Sequence, residues 1–160
     1  VGPDDRAVPV VVNPYTEGDG VFELNPDLVA DALAVAREAD LAPGPAGGDP
    51  RVLAGTNVCA DEFWHGSEVA EHVQWLVDQY DAGTYRVTEV EDAGTATALE
   101  RFGRLDQYVS VRAVSNHDRP PAGKTPRENV FADGFEAGFD VGVENLLAVA
   151  RPFVEKRLSP

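Results

Sequence analysis

Cysteine, methionine, histidine and lysine are nearly missing from this chain. Its 160 residues include one cysteine (Cys59), no methionine, three histidines, and two lysines (Lys124 and Lys156) against eleven arginines. A single cysteine excludes an intramolecular disulfide and a cysteine metal cluster. Asp61, His65, His117 and Asp118 are the side chains to weigh for a metal. They lack H-E-x-x-H or similar spacing, so neither metal nor cofactor is expected. No window approaches the roughly 20 apolar residues of a membrane span. The opening Val1-Gly2-Pro3-Asp4-Asp5 is polar and does not read as a signal peptide. With no initiating Met, the amino terminus reads as non-native, and the compartment stays open between cytoplasm and export. Basic stripes are missing too. The net charge of −15, from 28 acidic and 13 basic residues, argues against nucleic acid and anionic membrane as partners and reads as a solubility feature. The N-x-S/T, G-x-S-x-G, P-loop and G-x-G-x-x-G patterns are absent.

What is present has the size and pattern of one α/β domain, residues 1–160. Residues 1–7 and 13–24 read as loops, with a β-like run at Val8–Val12 broken by Pro9 and so placed at an edge. Asn25-Pro26-Asp27 predicts a helix start, with Asn as N-cap and Pro at the first helical position. That helix is expected to reach Asp40 with Leu28, Ala32, Val35, Ala36 and Ala39 on one face. A Pro/Gly loop covers 42–50. Strands are expected at Arg51–Cys59, Thr84–Val90 and Tyr108–Ser115. The helices between and after them are one capped by Ser67, with Val69, Val73, Leu76, Val77 and Tyr80 on a stripe, one over 95–105, and a last from near Phe135. In the last helix Phe139, Val143, Leu146, Leu147 and Ala150 are assigned inward, and Pro152 is expected to kink or split it. This β-α-β-α-β-α order predicts a mainly parallel sheet with right-handed crossovers, so three strand ends converge on one crevice.

Each strand end carries polar groups. Asn57, Asp61, Phe63, Trp64 and His65 follow the first. Phe63 or Trp64 can wall a purine with Asp61 at its edge, or both rings can be core packing at the strand–helix junction. Val90, Glu91 and Asp92 close the second. A carboxylate at Glu91 can accept from two vicinal sugar hydroxyls, and it can equally cap the next helix, the reading preferred for Asp92. Ser115-Asn116-His117-Asp118 closes the third. Asn116 can hydrogen-bond a purine at N7 and stabilise a departing base, although alone it reads better as an Asx-turn. Cys59 reads as a small buried hydrophobe.

Four stretches in order carry a resemblance: VFELNPDL at 21–28, DEFWHG at 61–66, VEDAGTATAL at 90–99 and AVSNHDRPPAGKTPREN at 113–129. Phe135–Leu147, with its Glu144-Asn145 pair, adds to them. Over roughly residues 13–155 the chain resembles the purine nucleoside permease family, within the nucleoside phosphorylase superfamily. The resemblance implies a three-layer α/β/α fold, with Phe63 stacked on the base, Val90 lining the sugar, Glu91 on the ribose hydroxyls and Asn116 at purine N7. An Asn there cannot protonate N7, which fits 6-oxopurines or plain binding. The resemblance places the chain in the family's carboxy-terminal portion. A phosphate site is then expected from an amino-terminal half held elsewhere, with phosphate as a possible co-substrate. A partner chain or self-association is expected to cover the exposed edge. Three functions follow: N-glycosidic cleavage of purine nucleosides by phosphate or water, the first choice; nucleoside binding in uptake; and a scaffold recruited to another metabolite.

Overall fold

Asn25 begins the first helix as its neighbours dictate. In the computed structural model, which describes residues 20–159 except 46, 62–63, 121 and 131–133, the Asn25 side-chain oxygen accepts the N–H groups of Asp27 at 3.0 Å and Leu28 at 3.4 Å. Pro26 follows without a donor to leave unpaired, and α1 runs Pro26–Glu38. The Asn25 amide also donates to the Asp106 carbonyl at 2.8 Å, tying the start of α1 to the 3₁₀ turn Leu105–Gln107. Leu28, Ala32 and Ala36 are buried, one turn apart, as the apolar spacing predicts. Val35 and Ala39 are half-buried.

The remaining elements are β1 (Thr56–Cys59), α2 (Ser67–Gln79), β2 (Tyr85–Glu89), α3 (Asp92–Arg101), α4 (Pro126–Val130) and α5 (Gly134–Leu158). Strands β1 and β2 are parallel, with Thr56 opposite Tyr85 and Cys59 opposite Glu89. Backbone bonds from Thr56 to Thr84 and from Ala60 to Glu89 extend the ladder at both ends. The crossover α2 buries Ala70, Val73 and Val77, and Val73 is fully enclosed. Mixed helix and parallel strand is the α/β class that alternation predicts.

Five expectations need correction. Among the described residues the sheet has two strands, and Tyr108–Ser115 does not join it. Tyr108 bonds Asp92, but Val114 is exposed and the run's backbone has no ladder partner among the described residues; propensity alone makes no strand. Helix α2 is capped by Gly66, whose φ of 125° suits glycine alone, and Ser67 is already helical. Helix α3 starts at Asp92, three residues before the expected Thr95. Helix α5 carries Pro152 inside its span without ending there. The inward side of α5 also differs. Phe139, Val143 and Leu147 are exposed, whereas Gly138, Gly142 and Val149 are buried. A Cβ at Gly138 would collide with the Ser115 carbonyl, and one at Gly142 would touch the Ala113 methyl at 3.6 Å. The glycines form the close-approach face, and the large apolar side chains are turned away from it. The run Val8–Val12 lies outside the described residues.

Candidate functional site

The corner between β2 and α3 is built by Glu89. Its Oε2 accepts the N–H of Glu91 at 2.8 Å and of Asp92 at 2.9 Å, satisfying two donors at the helix start. Cys59 Sγ accepts the Ala93 N–H at 3.3 Å. Glu91 occupies the N-cap position of α3 without a side-chain capping bond, and Asp92, expected as the cap, is already helical. Capping thus falls to residues on the two strands, and the helix begins early because of them.

Freed from that role, Asp92 is the centre of a polar cluster. Its carboxylate accepts from the Asn57 amide at 2.9 Å and from the Tyr108 hydroxyl, and it pairs with Arg112 at 3.3 Å. Arg112 also meets Glu89 at 3.1 Å and Glu91 at 3.5 Å. Burial pushes the Glu89 and Asp92 carboxyls up. Hydrogen bonds outweigh it and hold both below the usual range: Cys59 and the helix-start N–H groups at Glu89, Tyr108, Ser110 and Asn57 at Asp92, with Arg112 adding to each. The same burial, and then the Asp92 charge, pushes the Tyr108 phenol up. Burial, with Glu89 nearby, pushes the Cys59 thiol up to about 11. A thiol protonated at neutral pH is no nucleophile.

Beside this cluster lies an open groove of about 1980 Å³, lined among others by Asn57, Trp64, Ser115, Asn116, His117 and Asn129. Asn116 is half-buried. Its side-chain oxygen accepts from the Ser115 hydroxyl at 2.9 Å, and its amide donates to the His117 carbonyl at 3.3 Å. Two buried polar atoms on groove-lining residues, Asn57 Oδ1 and Trp64 Nε1, have no partner among the described residues. The Trp64 ring stacks on His72 at 6.4 Å, and His72 on Trp75 at 5.5 Å.

The loop around Asn116 is latched on both sides. Tyr85 donates its hydroxyl to Asp118, whose backbone carbonyl accepts the Gly66 N–H at 2.7 Å. Burial, then the Asp118 carboxylate, raises the Tyr85 phenol above its ordinary value. The Asn129 amide meets His65 Nε2 at 3.2 Å, bringing α4 onto the start of α2. Asp118 and His65 thus hold the loop together. Among the described residues no three His, Cys, Asp or Glu side chains converge as a metal site would require.

The sequence-predicted residues therefore divide. Trp64 and Asn116 share the groove. Glu91, Val90 and Asp61 do not line it; all three are exposed, and Glu91 faces Arg112. Phe63 lies outside the described residues. Glu89 and Arg112 were not singled out from sequence, and Asn57 was named there without a role, although Arg112 is a charge inside the β-forming run YVSVRAV and so needed partners.

Two parallel strands, a polar corner after the second and an open groove beside them define an α/β domain with a candidate binding groove. The chain belongs to a particular family: a family model described as purine nucleoside permease (NUP) matches residues 3–159. The match is wider than the expected 13–155, and it does not assign these residues to a carboxy-terminal portion. No curated protein and no solved structure matches the chain. No helix among the described residues is long and apolar enough to cross a membrane.

Proposed function

We propose that this chain binds a purine nucleoside in the groove beside β1, as the ligand-holding part of an uptake system. The observation that carries the reading is the open groove beside β1, whose lining includes the half-buried Trp64 and Asn116 together with Asn57. An aromatic ring and side-chain amides on one groove suit a planar ligand with donors and acceptors at its edge, as a purine is. Asn116 adds an amide that can turn donor or acceptor toward the base. The family match supports the nucleoside as ligand. A three-layer phosphorylase-type fold belongs to the same proposal and is supported by the parallel β1–β2 pair and its helical crossover.

Cleavage of the N-glycosidic bond is the second reading. Asn116 favours it, since an amide at purine N7 strengthens its hydrogen bond as the base departs. It also requires Glu91 to leave Arg112 for the ribose, and a water or a phosphate held by residues beyond those described, in this chain or a partner.

The test is calorimetric titration of the folded chain with inosine, guanosine and adenosine, with free base followed chromatographically with and without phosphate. Binding without turnover supports the first reading. Base release supports the second, and its phosphate dependence separates phosphorolysis from hydrolysis. A folded chain that binds no nucleoside sinks both and leaves a scaffold recruited to another metabolite.

A further inference from the structure

Helix α5 has two faces of different chemistry. One packs on α1, where Asp31 pairs with Arg157 at 3.1 Å and Lys156 at 3.6 Å. The other exposes Phe139, Val143, Leu147 and Val154, each at least 42% accessible. At about 100° per residue these four and Ala150 fall within a narrow seam. Single exposed apolar residues need no explanation, but a seam several turns long does.

Charge along the same helix is polarised. Asp140 and Glu144 stand on one shoulder of the seam in its amino-terminal half, and Arg151 stands on that shoulder in the other half; all three are exposed. Among the described residues no ion pair engages Arg151.

We infer that two copies of this chain pair through antiparallel α5 helices. A two-fold axis beside the Leu146–Leu147 step sets Phe139 against Val154 of the other copy and Val143 against Ala150. The same axis sets each Arg151 between Asp140 and Glu144 of the other copy. Hydrophobic seam and charged shoulder agree on one register, which a parallel pairing does not provide, since there the two charged shoulders lie on opposite sides of the seam and do not meet. In a chain of net charge −15, that local complementarity also offsets repulsion between copies. The pairing does not depend on the nucleoside reading.

Sedimentation velocity on the intact chain, from low to high micromolar concentration, tests this. A concentration-dependent dimer is expected. Leu147→Glu should give a monomer with unchanged far-ultraviolet circular dichroism. Arg151→Glu alone, and Asp140→Lys with Glu144→Lys alone, should each weaken association about ten-fold or more. Mixing those two chains should restore dimer as a heterodimer, and placing all three changes in one chain should restore the homodimer. A wild-type chain that stays monomeric overturns the proposal. So does a dimer indifferent to Leu147→Glu, or charge variants that fail to recover on mixing.

Discussion

Asn145 holds Ala42 by both of its backbone groups. Its side-chain oxygen accepts the Ala42 N–H at 2.8 Å, and its amide donates to the Ala42 carbonyl at 2.9 Å. An asparagine in the middle of α5 thus imitates a neighbouring strand and anchors the segment that leaves α1. Asn145→Ala is expected to destabilise the fold by about 1–2 kcal/mol, the usual cost of leaving such groups unpaired. The local effect should be larger than the global one. Amide exchange at Ala42 and limited proteolysis within 42–50 should both accelerate, and unchanged exchange at Ala42 would contradict the clamp.

Two glycines on α5 should respond with opposite sign. Gly142→Ala meets only a methyl at ordinary contact distance, so the better helix former should stabilise by roughly 0.5–1 kcal/mol. Gly138→Ala drives a methyl into the Ser115 carbonyl, and backbone yields less readily than a side-chain tip. Here overpacking, on the order of 1–3 kcal/mol, exceeds the helix gain. Thermal melts of the two variants should move apart. Because Ser115 precedes Asn116, Gly138→Ala should also perturb ligand affinity while Gly142→Ala does not.

The carboxylates around Arg112 predict an acid-sensitive fold. Glu89 and Asp92 titrate below their unfolded values, so the unfolded chain binds more protons as pH falls through that window. Their stabilisation is present above about pH 4.5, around the unfolded carboxyl values, and is lost as pH falls through the depressed folded values. Asp92→Asn removes one of three carboxylates from a part-exposed Arg112 and weakens the bonds from Asn57 and Tyr108, and is expected to cost about 1–2 kcal/mol at neutral pH. Denaturant titrations should also show a shallower loss of stability between pH 5 and about pH 3 for this variant and for Glu89→Gln. An acid limb as steep as the wild type in both variants would mean that other carboxylates govern it.

With its thiol pushed up to about 11, Cys59 should react slowly with iodoacetamide. The folded-state rate should keep rising beyond pH 9 and titrate near that value. Unfolding in urea should bring it back to the ordinary thiol range near 8.5. A folded-state midpoint below 9 would contradict the environment of Glu89 and the α3 start.

For the groove, Trp64→Phe removes the ring N–H and keeps most of the apolar surface. If the indole donates to a bound purine, nucleoside affinity should fall about ten-fold, near 1.4 kcal/mol, while the melting temperature changes little. Asn57→Leu removes the acceptor but also the Asp92 bond, so it should lose both affinity and stability. Equal nucleoside binding by wild type and Trp64→Phe would remove the indole from the site.

Local signals were the legible ones. Asn25-Pro26-Asp27 announced α1, and its alanine-rich stripe announced the face that is buried. The T-P-R-E run at 125–128 carried an equally readable signal for α4: Thr125 and Glu128 cap each other, with bonds of 2.8 Å to the Thr125 N–H and hydroxyl. That helix was hidden behind the prolines of the preceding loop. The start of α3 was misplaced because its cap comes from Glu89, a strand residue on the wrong side of the turn for a conventional N-cap. On α5 the sizes of Phe139, Val143 and Leu147 argued for burial. What decided its orientation was how closely Gly138 approaches Ser115, a tertiary fact no periodicity contains. Trp64 and Asn116 were placed in one groove by chain order and strand direction, whereas the withdrawal of Glu91 onto Arg112 depends on a side chain 21 residues away.

The same carboxylate of Glu89 closes β2 and opens α3, reaching back from a strand end to two successive amides of the following helix. That makes the corner intolerant of any change in length. One inserted residue between Glu89 and Asp92 would rotate the helix away from Cys59 and separate Asp92 from Asn57 and Tyr108 together. Among the described residues of 42–50, Asn145 bonds Ala42 alone, and the segment can absorb additions beyond it. Length variation among descendants of this sequence should therefore accumulate after Ala42 and be nearly forbidden across residues 89–93.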